Sequence, residues 1–214
     1  MVDKIEQFIQ QLAVATTASD ATNHYALDSD YNAVRRENLR LYLTEMLRLE
    51  PPVLLVGEAP GYQGCRRSGI PFTSDAIMLD PPEGVQLFGL DLGFRMSPEY
   101  EKARKEPSAT IVWQTIAQTG FCPLIWSAYP FHPHKKDKPL SNRAPRAGEL
   151  EQGREFLAMV LELIDLPTVI AVGNNAAKSL TALEIKFVKV RHPSHGGKAE
   201  FVAGFEAVAA QYQG

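Results

Sequence analysis

Four short apolar runs, separated by stretches of helical periodicity, constrain the fold of this 214-residue chain more than any other feature. The runs are PVLLVG at 52–57, PLIWSAY at 123–129, PTVIAVG at 167–173 and IKFVKV at 185–190. Continuous apolar runs of this length, bounded mostly by proline and glycine, are typical of strands that are buried on both faces of a sheet. We therefore expect four buried strands.

Stretches with helical spacing of apolar residues lie before, between and after these runs. They are found at 3–17, 32–49, 109–119, 147–164, 174–183 and about 199–211. Strands that alternate with helices imply crossover connections and a parallel sheet. We predict an α/β fold, a three-layer α/β/α sandwich around a central four-stranded parallel sheet. Since 45% of the residues are hydrophobic, the chain can bury one sizeable core. We expect a single domain over 1–214, in which 1–49 form a helical segment packed on the rest.

The cysteine content and the N-terminal sequence indicate the cellular location that we expect for the chain. Cys65 and Cys122 are the two cysteines, too few for a disulfide framework or a thiolate metal site, which favours a reducing, cytoplasmic location. The N-terminus carries acidic residues where a signal peptide needs basic ones, and no apolar stretch approaches the roughly 18 residues of a membrane-spanning helix. We expect no membrane partner. The sequence leaves the oligomeric state open.

The overall charge argues against a protein that coats nucleic acid by bulk electrostatics. The net charge is -3, although local basic clusters exist, such as Lys135, Lys136 and Lys138. A local basic face therefore remains compatible with nucleic-acid binding. Each cluster also fits ordinary solvated surface charge.

Distinctive residues follow each predicted strand, as GEAPG at 57–61, SAYPFHPH at 127–134, GNNAA at 173–177 and RHPSHGG at 191–197. Ligands of open parallel sheets bind beyond the carboxyl ends of the strands, so these four segments predict one shared site. The irregular stretches at 59–108 and 130–146 are too long to be simple connectors. Residues 76–108 fit a lid, a dimer contact or packing.

Several side chains in these segments are candidates for catalysis or for binding a ligand. Glu58 would project a carboxylate into the predicted crevice, although Asp75 and Asp80 follow in the same loop and compete for that role. Phe72 fits either core filler or a flat platform for a planar ring. His192 would act as a hydrogen-bond donor. HPHKK at 132–136 lacks the cysteine or carboxylate cluster that would complete a zinc site, so we expect no metal there.

Four motifs in order, GEAPG (57–61), GIPF (69–72), NRAP (142–145) and HPS (192–194), resemble the uracil-DNA glycosylase superfamily, nearest to its bacterial and archaeal GEAPG branch. The resemblance covers roughly residues 50–210. It implies base flipping, in which the enzyme extrudes its target nucleotide from the stack. It also implies that Glu58, with the backbone near Gly57, activates the attacking water, while Phe72 stacks on the base and His192 stabilises the departing base.

The resemblance assigns further contacts by position. The expected contacts with the DNA backbone are made by Pro60, Gly61, Asn142, Arg143, Pro193 and Ser194. The expected wedge into the duplex is formed by His195, Gly196 and Gly197. No cofactor is required. The iron-sulfur cluster of the GEAPG branch needs four cysteines, so two cysteines predict its absence.

Three positions depart from the pattern of the family. Ser127 stands where relatives often place an asparagine that reads the uracil edge, and one hydroxyl discriminates less well than an amide. Gly61 stands where the best-known uracil enzymes place a tyrosine that blocks the methyl group of thymine. His195 is a polar wedge where leucine is commoner, which fits weak penetration of the duplex or a preference for single strands.

The leading hypothesis is a monofunctional DNA glycosylase of base excision repair, a hydrolase that releases uracil or a related deaminated base from DNA. A second hypothesis is a catalytically silent relative that binds DNA, a nucleotide or a protein partner through the same crevice. A third is a hydrolase of small nucleosides or phosphorylated metabolites, because glycines at strand ends suit phosphates generally. The sequence leaves open which base is excised and whether single- or double-stranded DNA is preferred.

Overall fold

A computed structural model describes residues 2–163 and 168–212. The helices are α1 Val2–Val14, α2 Asp30–Leu49, α3 Cys65–Ser68, α4 Asp75–Leu79, α5 Pro107–Thr119, α6 Ala147–Leu163, α7 Gly173–Ala182 and α8 Lys198–Ala209, with a 3-10 turn at Ala210–Tyr212. The strands are β1 Ala21–Thr22, β2 Val53–Gly57, β3 Leu124–Ser127, β4 His132–Pro133, β5 Thr168–Val172 and β6 Val188–Val190. Two ends of the predicted elements, residues 164 and 167, lie outside the described residues.

The central sheet has four strands in the order β3-β2-β5-β6, and all neighbouring pairs are parallel. All five residues of β2 are buried, which explains its uninterrupted apolar run. The register places Gly57 opposite Ser127, so β2 and β3 end at the same level. The prediction of an α/β fold with a four-stranded parallel sheet is confirmed.

Helices cover both faces of this sheet. The crossover from β2 to β3 through α5 runs in one direction along the sheet, and the crossovers through α6 and α7 run in the other. Right-handed crossovers therefore place α5 on one face and α6 and α7 on the opposite face. Helix α8 packs beside α5, while α1 packs beside α6. The result is the predicted three-layer sandwich.

The N-terminal helices share the hydrophobic core of the sheet. Phe8 of α1 makes an edge-to-face contact with Trp126 of β3, with ring centroids 5.1 Å apart. The hydroxyl of Tyr42 in α2 accepts a hydrogen bond from the Ile125 amide at 2.7 Å. Helix α1 therefore contacts β3 by aromatic packing, and helix α2 contacts it by a buried hydrogen bond.

A second small sheet and the packing of residues 76–108 complete the fold; the small sheet was not predicted from the sequence, whereas packing was one of the roles considered for that segment. Strands β1 and β4 form a small antiparallel sheet, and each has two residues, too few to show any periodicity. Within 76–108, Leu87, Phe88 and Phe94 are buried. Phe88 stacks on Tyr42 and meets Trp113 edge-on, with centroids 4.8 Å apart for the latter pair. Of the three roles considered for this segment, packing accounts for these contacts.

Within the described ranges, no helix combines the length and the apolar character needed to cross a membrane.

Candidate active site at the carboxyl edge of the sheet

A cavity of about 220 Å³ opens beyond the ends of β2 and β3, beside the loop that follows β6. Predicted site residues from four separate segments line it together, including Glu58, Phe72, Ser127, His192 and Ser194. The shared edge of a parallel sheet brings these distant segments together, as expected.

The backbone at Glu58 is held by an extension of the sheet ladder. The Ala128 amide donates to the Gly57 carbonyl at 2.9 Å, and the Tyr129 amide donates to the Glu58 carbonyl at 3.0 Å. The Glu58 carboxylate accepts one further bond at Oε2, from Asn175 Nδ2 at 2.9 Å. Burial raises the pKa of Glu58, and the bond from Asn175 opposes this rise.

The two competing carboxylates lie elsewhere. Asp75 is completely buried and forms an ion pair with Arg67 at 2.5 Å. Asp80 is exposed and lines a different surface pocket, together with Pro81 and Pro82. Of the three candidates, Glu58 is the carboxylate that lines the cavity with His192. The geometry favours Glu58 for the chemical role.

Phe72 forms a wall of the cavity and explains the glycine at position 57. A Cβ atom on Gly57 would lie 2.1 Å from Phe72 Cε2, so only glycine admits the ring at its present place. Phe72 has a φ of 49°, which is unusual for a bulky residue, and its carbonyl accepts from Trp113 Nε1 at 3.0 Å. Its ring centroid lies 5.7 Å from that of His192. The chain thus accepts an unfavourable backbone conformation at Phe72 while its ring lies beside His192.

Ser194 determines which nitrogen of His192 carries the proton. The Ser194 amide donates to His192 Nδ1 at 3.2 Å, and Ser194 Oγ lies 2.8 Å from the same nitrogen. Because a backbone amide can only donate, Nδ1 is an acceptor and Nε2 carries the hydrogen. Burial, then the charges of Arg191 and His195, lower the pKa of His192 to about 4. At neutral pH His192 therefore offers a neutral Nε2-H donor.

Two polar residues complete the wall near the end of β3. Ser127 is 3% exposed and lines the cavity. The Asn142 side chain accepts from the Tyr62 amide at 3.0 Å and lies within 3.3 Å of His132 Nε2. Asn142 thereby connects the segment after GEAPG to the loop that carries NRAP.

Arg143 lies at the edge of the cavity, but its donors already have internal acceptors. Its two terminal nitrogens bond the Glu149 carboxylate at 2.6 Å each, and Nη2 also reaches Asp20 Oδ1 at 3.1 Å. Nε donates to the His134 carbonyl at 2.9 Å. The predicted contact of Arg143 with DNA would require it to give up one of these bonds.

The residues of the loop after β6 that were predicted to contact DNA differ in their exposure to solvent. His195 has a φ of 51° and Gly196 a φ of 80°, and both residues are exposed. Pro193 is buried, as is Gly197, where a Cβ would lie 2.1 Å from the His192 carbonyl oxygen. The tip at 195–196 is accessible for a wedge, whereas Pro193 offers little surface to a phosphate. Pro60 and Gly61 line the cavity on the opposite loop.

Asn175 and Glu106 also lie at these cavities, although neither was predicted from the sequence to belong to the site. Asn175 lies in GNNAA, a segment noted at the sheet edge, but its contact with Glu58 has no sequence signature. Glu106 lines the cavity while its carboxylate caps α5 by accepting from the Ser108 and Ala109 amides. A second cavity of about 630 Å³ adjoins the first, shares Glu58 and His192 with it, and includes the basic side chains of Lys178, Lys189 and Arg191.

No group of three or more His, Cys, Asp or Glu side chains in the described part of the chain is arranged to hold a metal ion. Cys65 is buried beside His24 and Tyr25, whereas Cys122 lines a separate pocket with Ile116. Four thiolates are needed for an iron-sulfur cluster, and the two cysteines do not supply them.

Comparison with known proteins adds to this geometry. The family described as the Uracil DNA glycosylase superfamily matches residues 45–209. The crystal structure of wild-type Pedobacter heparinus SMUG2 is similar over 99% of this chain and 97% of that chain, with a TM-score of 0.67 and 17% sequence identity. No curated protein matches the sequence.

Proposed function

Because the chain belongs to the uracil DNA glycosylase superfamily, we propose that it is a monofunctional DNA glycosylase that releases uracil or a related deaminated base from DNA in base excision repair. The single observation that carries this proposal is the joint lining of one cavity by Glu58, Phe72 and His192. A carboxylate, a planar aromatic surface and a neutral hydrogen-bond donor are the groups that hydrolysis of an N-glycosidic bond requires. We further propose that it acts in the cytoplasm, in keeping with its two free cysteines.

The reaction begins with extrusion of the target nucleotide into the cavity, where the base stacks on Phe72. In the proposed complex, the Ser127 hydroxyl and the backbone near Gly57 contact the polar edge of the base. The exposed tip at His195 and Gly196 fills the space that the base leaves. The side chains of Asn142 and Ser194 and the turn at Pro60 and Gly61 flank the opening and contact the sugar-phosphate backbone.

Hydrolysis then exchanges one bond for another. The glycosidic bond breaks and its electron pair leaves with the base, while a water oxygen bonds to the sugar C1′ and its proton passes to the Glu58 carboxylate. The Nε2-H of His192 donates to the oxygen on which negative charge develops. A neutral imidazole suits this step because its hydrogen is already fixed at Nε2 by Ser194. The departed base then takes up a proton and Glu58 releases one, both by exchange with solvent, so that the products are a free base and an abasic site.

The experiment that tests the proposal measures free base released from single- and double-stranded oligonucleotides that contain uracil, hypoxanthine or xanthine. We expect release from at least one of them by the wild-type protein and none by Glu58→Gln. Gly148→Ala is the control, because a Cβ at that position meets no atom within 4 Å. Absence of product with all three bases, at high enzyme excess, contradicts the proposal.

One observation favours a second candidate, a relative that binds DNA through the same cavity without catalysis. Ser127 presents a single hydroxyl to the cavity in place of the paired donor and acceptor of an amide, which weakens recognition of the base. Fluorescent oligonucleotides that carry uracil or an abasic site distinguish the two candidates. Binding that weakens steeply with salt, together with an absence of released base, supports the silent relative.

A further inference from the structure

We infer that Asn175 is a positioning residue, which holds the Glu58 carboxylate in one orientation and in its ionised form for the attack of water. The inference rests on the proposed function and deepens it. Its basis is the hydrogen bond of 2.9 Å from Asn175 Nδ2 to Glu58 Oε2. The two residues lie 117 positions apart in the sequence, so the sheet edge alone brings them together.

The fold supplies Asn175 from the first turn of α7, directly beyond β5. Gly173 has a φ of 84°, a left-handed conformation that glycine adopts without strain, and it turns the chain from β5 into the helix. Strand β5 is the neighbour of β2 in the sheet, so the start of α7 stands beside the end of β2. Asn175 is half-buried and Glu58 is half-buried, which leaves the bond between them shielded from much of the solvent.

The two oxygens of the Glu58 carboxylate have different surroundings. Oε2 is occupied by Asn175, whereas the hydrogen bonds of the described residues leave Oε1 without a protein partner. Glu58 lines both the first cavity and the adjoining basic cavity, whereas Phe72 lines the first and Asn175 lines the second. With Oε2 occupied by Asn175, Oε1 remains available to accept a proton from the attacking water.

The chemistry of the donor explains why an amide suits this place. An amide N-H donates to a carboxylate and favours its ionised form without adding a charge. A lysine would neutralise the base, and a carboxylate would repel it. Burial raises the pKa of Glu58, and the Asn175 bond is the contact that lowers it. Without this bond, a larger fraction of Glu58 is protonated at neutral pH and the side chain is free to rotate.

Other acidic, basic and histidine side chains line the two cavities together with Glu58. These are Glu106, Arg143, Lys178, Lys189, Arg191, His192 and His195. None of them forms a hydrogen bond to Glu58 among the described residues, and none changes in an Asn175 variant. A shift of the titration on substitution of Asn175 therefore reports the amide itself.

The test is the pH dependence of base release by Asn175→Ala and Asn175→Asp. We expect the acidic limb of kcat/KM to move upward by about one pH unit in Asn175→Ala, since hydrogen bonds to charged groups are among the strongest in proteins. The loss of rate should be about tenfold on that limb and should shrink at higher pH, where Glu58 is ionised in both proteins. Asn175→Asp should move the limb further, because two carboxylates then face each other. Thr181→Ala, an exposed change on the same helix, controls for damage to α7.

A loss of rate that is equal at every pH overturns the inference, because it indicates a merely structural role. A second measurement stands independently of catalysis. The carboxyl carbon of Glu58, assigned in ¹³C NMR spectra by comparison with Glu58→Gln, should titrate at a higher pH in Asn175→Ala than in the wild type. Equal titration of the two proteins refutes the inference even if no base is released. A wild type that releases no base but shows the expected titration shift refutes the proposed function alone.

Discussion

Gly57→Ala is the substitution whose effect the structure specifies most directly. The new Cβ would lie 2.1 Å from Phe72 Cε2 and 2.9 Å from Cζ, and the three nearest atoms all belong to this ring. Carbon atoms pack at about 3.5–4.0 Å, so the ring must move by at least about 1.4 Å. Overpacking of this kind costs about 1–3 kcal/mol of folding free energy.

The displacement should reduce catalysis as well as stability. Base stacking on an aromatic side chain is worth about 1–3 kcal/mol, and 1.4 kcal/mol is a factor of ten, so a displaced Phe72 lowers base release by about 5- to 150-fold. Single-turnover rates on a uracil oligonucleotide and urea unfolding measure the two effects. Gly148→Ala is the matched control, since its Cβ meets nothing within 4 Å.

A double-mutant cycle separates the proposed cause from others. In a Phe72→Ala background the methyl group at position 57 has room, so the stability lost through Gly57→Ala should disappear. We expect a coupling free energy of about 1–3 kcal/mol between the two sites, equal to the cost that disappears and within the range for residues in contact. Equal destabilisation in both backgrounds, or wild-type activity in Gly57→Ala, would refute the reasoning that Gly57 exists to admit the ring.

Three further predictions concern charge and hydrogen bonding. His192→Ala should lower the rate of base release by about 10²–10³-fold, the range for removal of one donor to a developing anion, with little change in thermal stability; equal rates would exclude His192 from the mechanism. The free energy of unfolding should fall as the pH drops from about 6.5 towards 4. His132 and His192 both have a pKa of about 4 in the folded protein, whereas in the unfolded chain they bind a proton near pH 6.5, so protonation in this range favours the unfolded state. His192→Ala should lower the number of protons taken up on unfolding by about one, which makes the free energy of unfolding depend less steeply on pH. An unchanged pH dependence, measured by urea unfolding, would contradict the low pKa assigned to His192. Lys136→Ala, in the exposed loop beside Asn142, should weaken DNA binding and reduce the slope of log affinity against log salt by about one, whereas Lys4→Ala on α1 should leave it unchanged.

The hydrogen bonds of Arg143 show why the position of a residue in the sequence does not predict its individual contacts. The NRAP motif placed Arg143 at the edge of the site, and the structure agrees with that placement. Its acceptors, however, include Asp20, which lies 123 positions earlier and reaches the site because β1 pairs with β4. No local pattern marks a two-residue strand, so this acceptor was not foreseeable.

The sequence by itself determined the four strands of the central sheet, the six long helices and the set of segments that meet at the carboxyl edge of the sheet. Burial on both faces imposes a continuous apolar run, helices impose a period of 3.6, and glycine and proline mark the ends, all of which are local properties. GEAPG, HPS and the residue Ser127 therefore indicated one site before any coordinates. Only the tertiary structure decided what each side chain does there: Phe72 rests on Gly57, Ser194 fixes the proton of His192, and Asn175 holds Glu58. These contacts form because the crossovers bring distant segments of the chain within hydrogen-bonding distance. Local sequence patterns do not show which side chains will then meet.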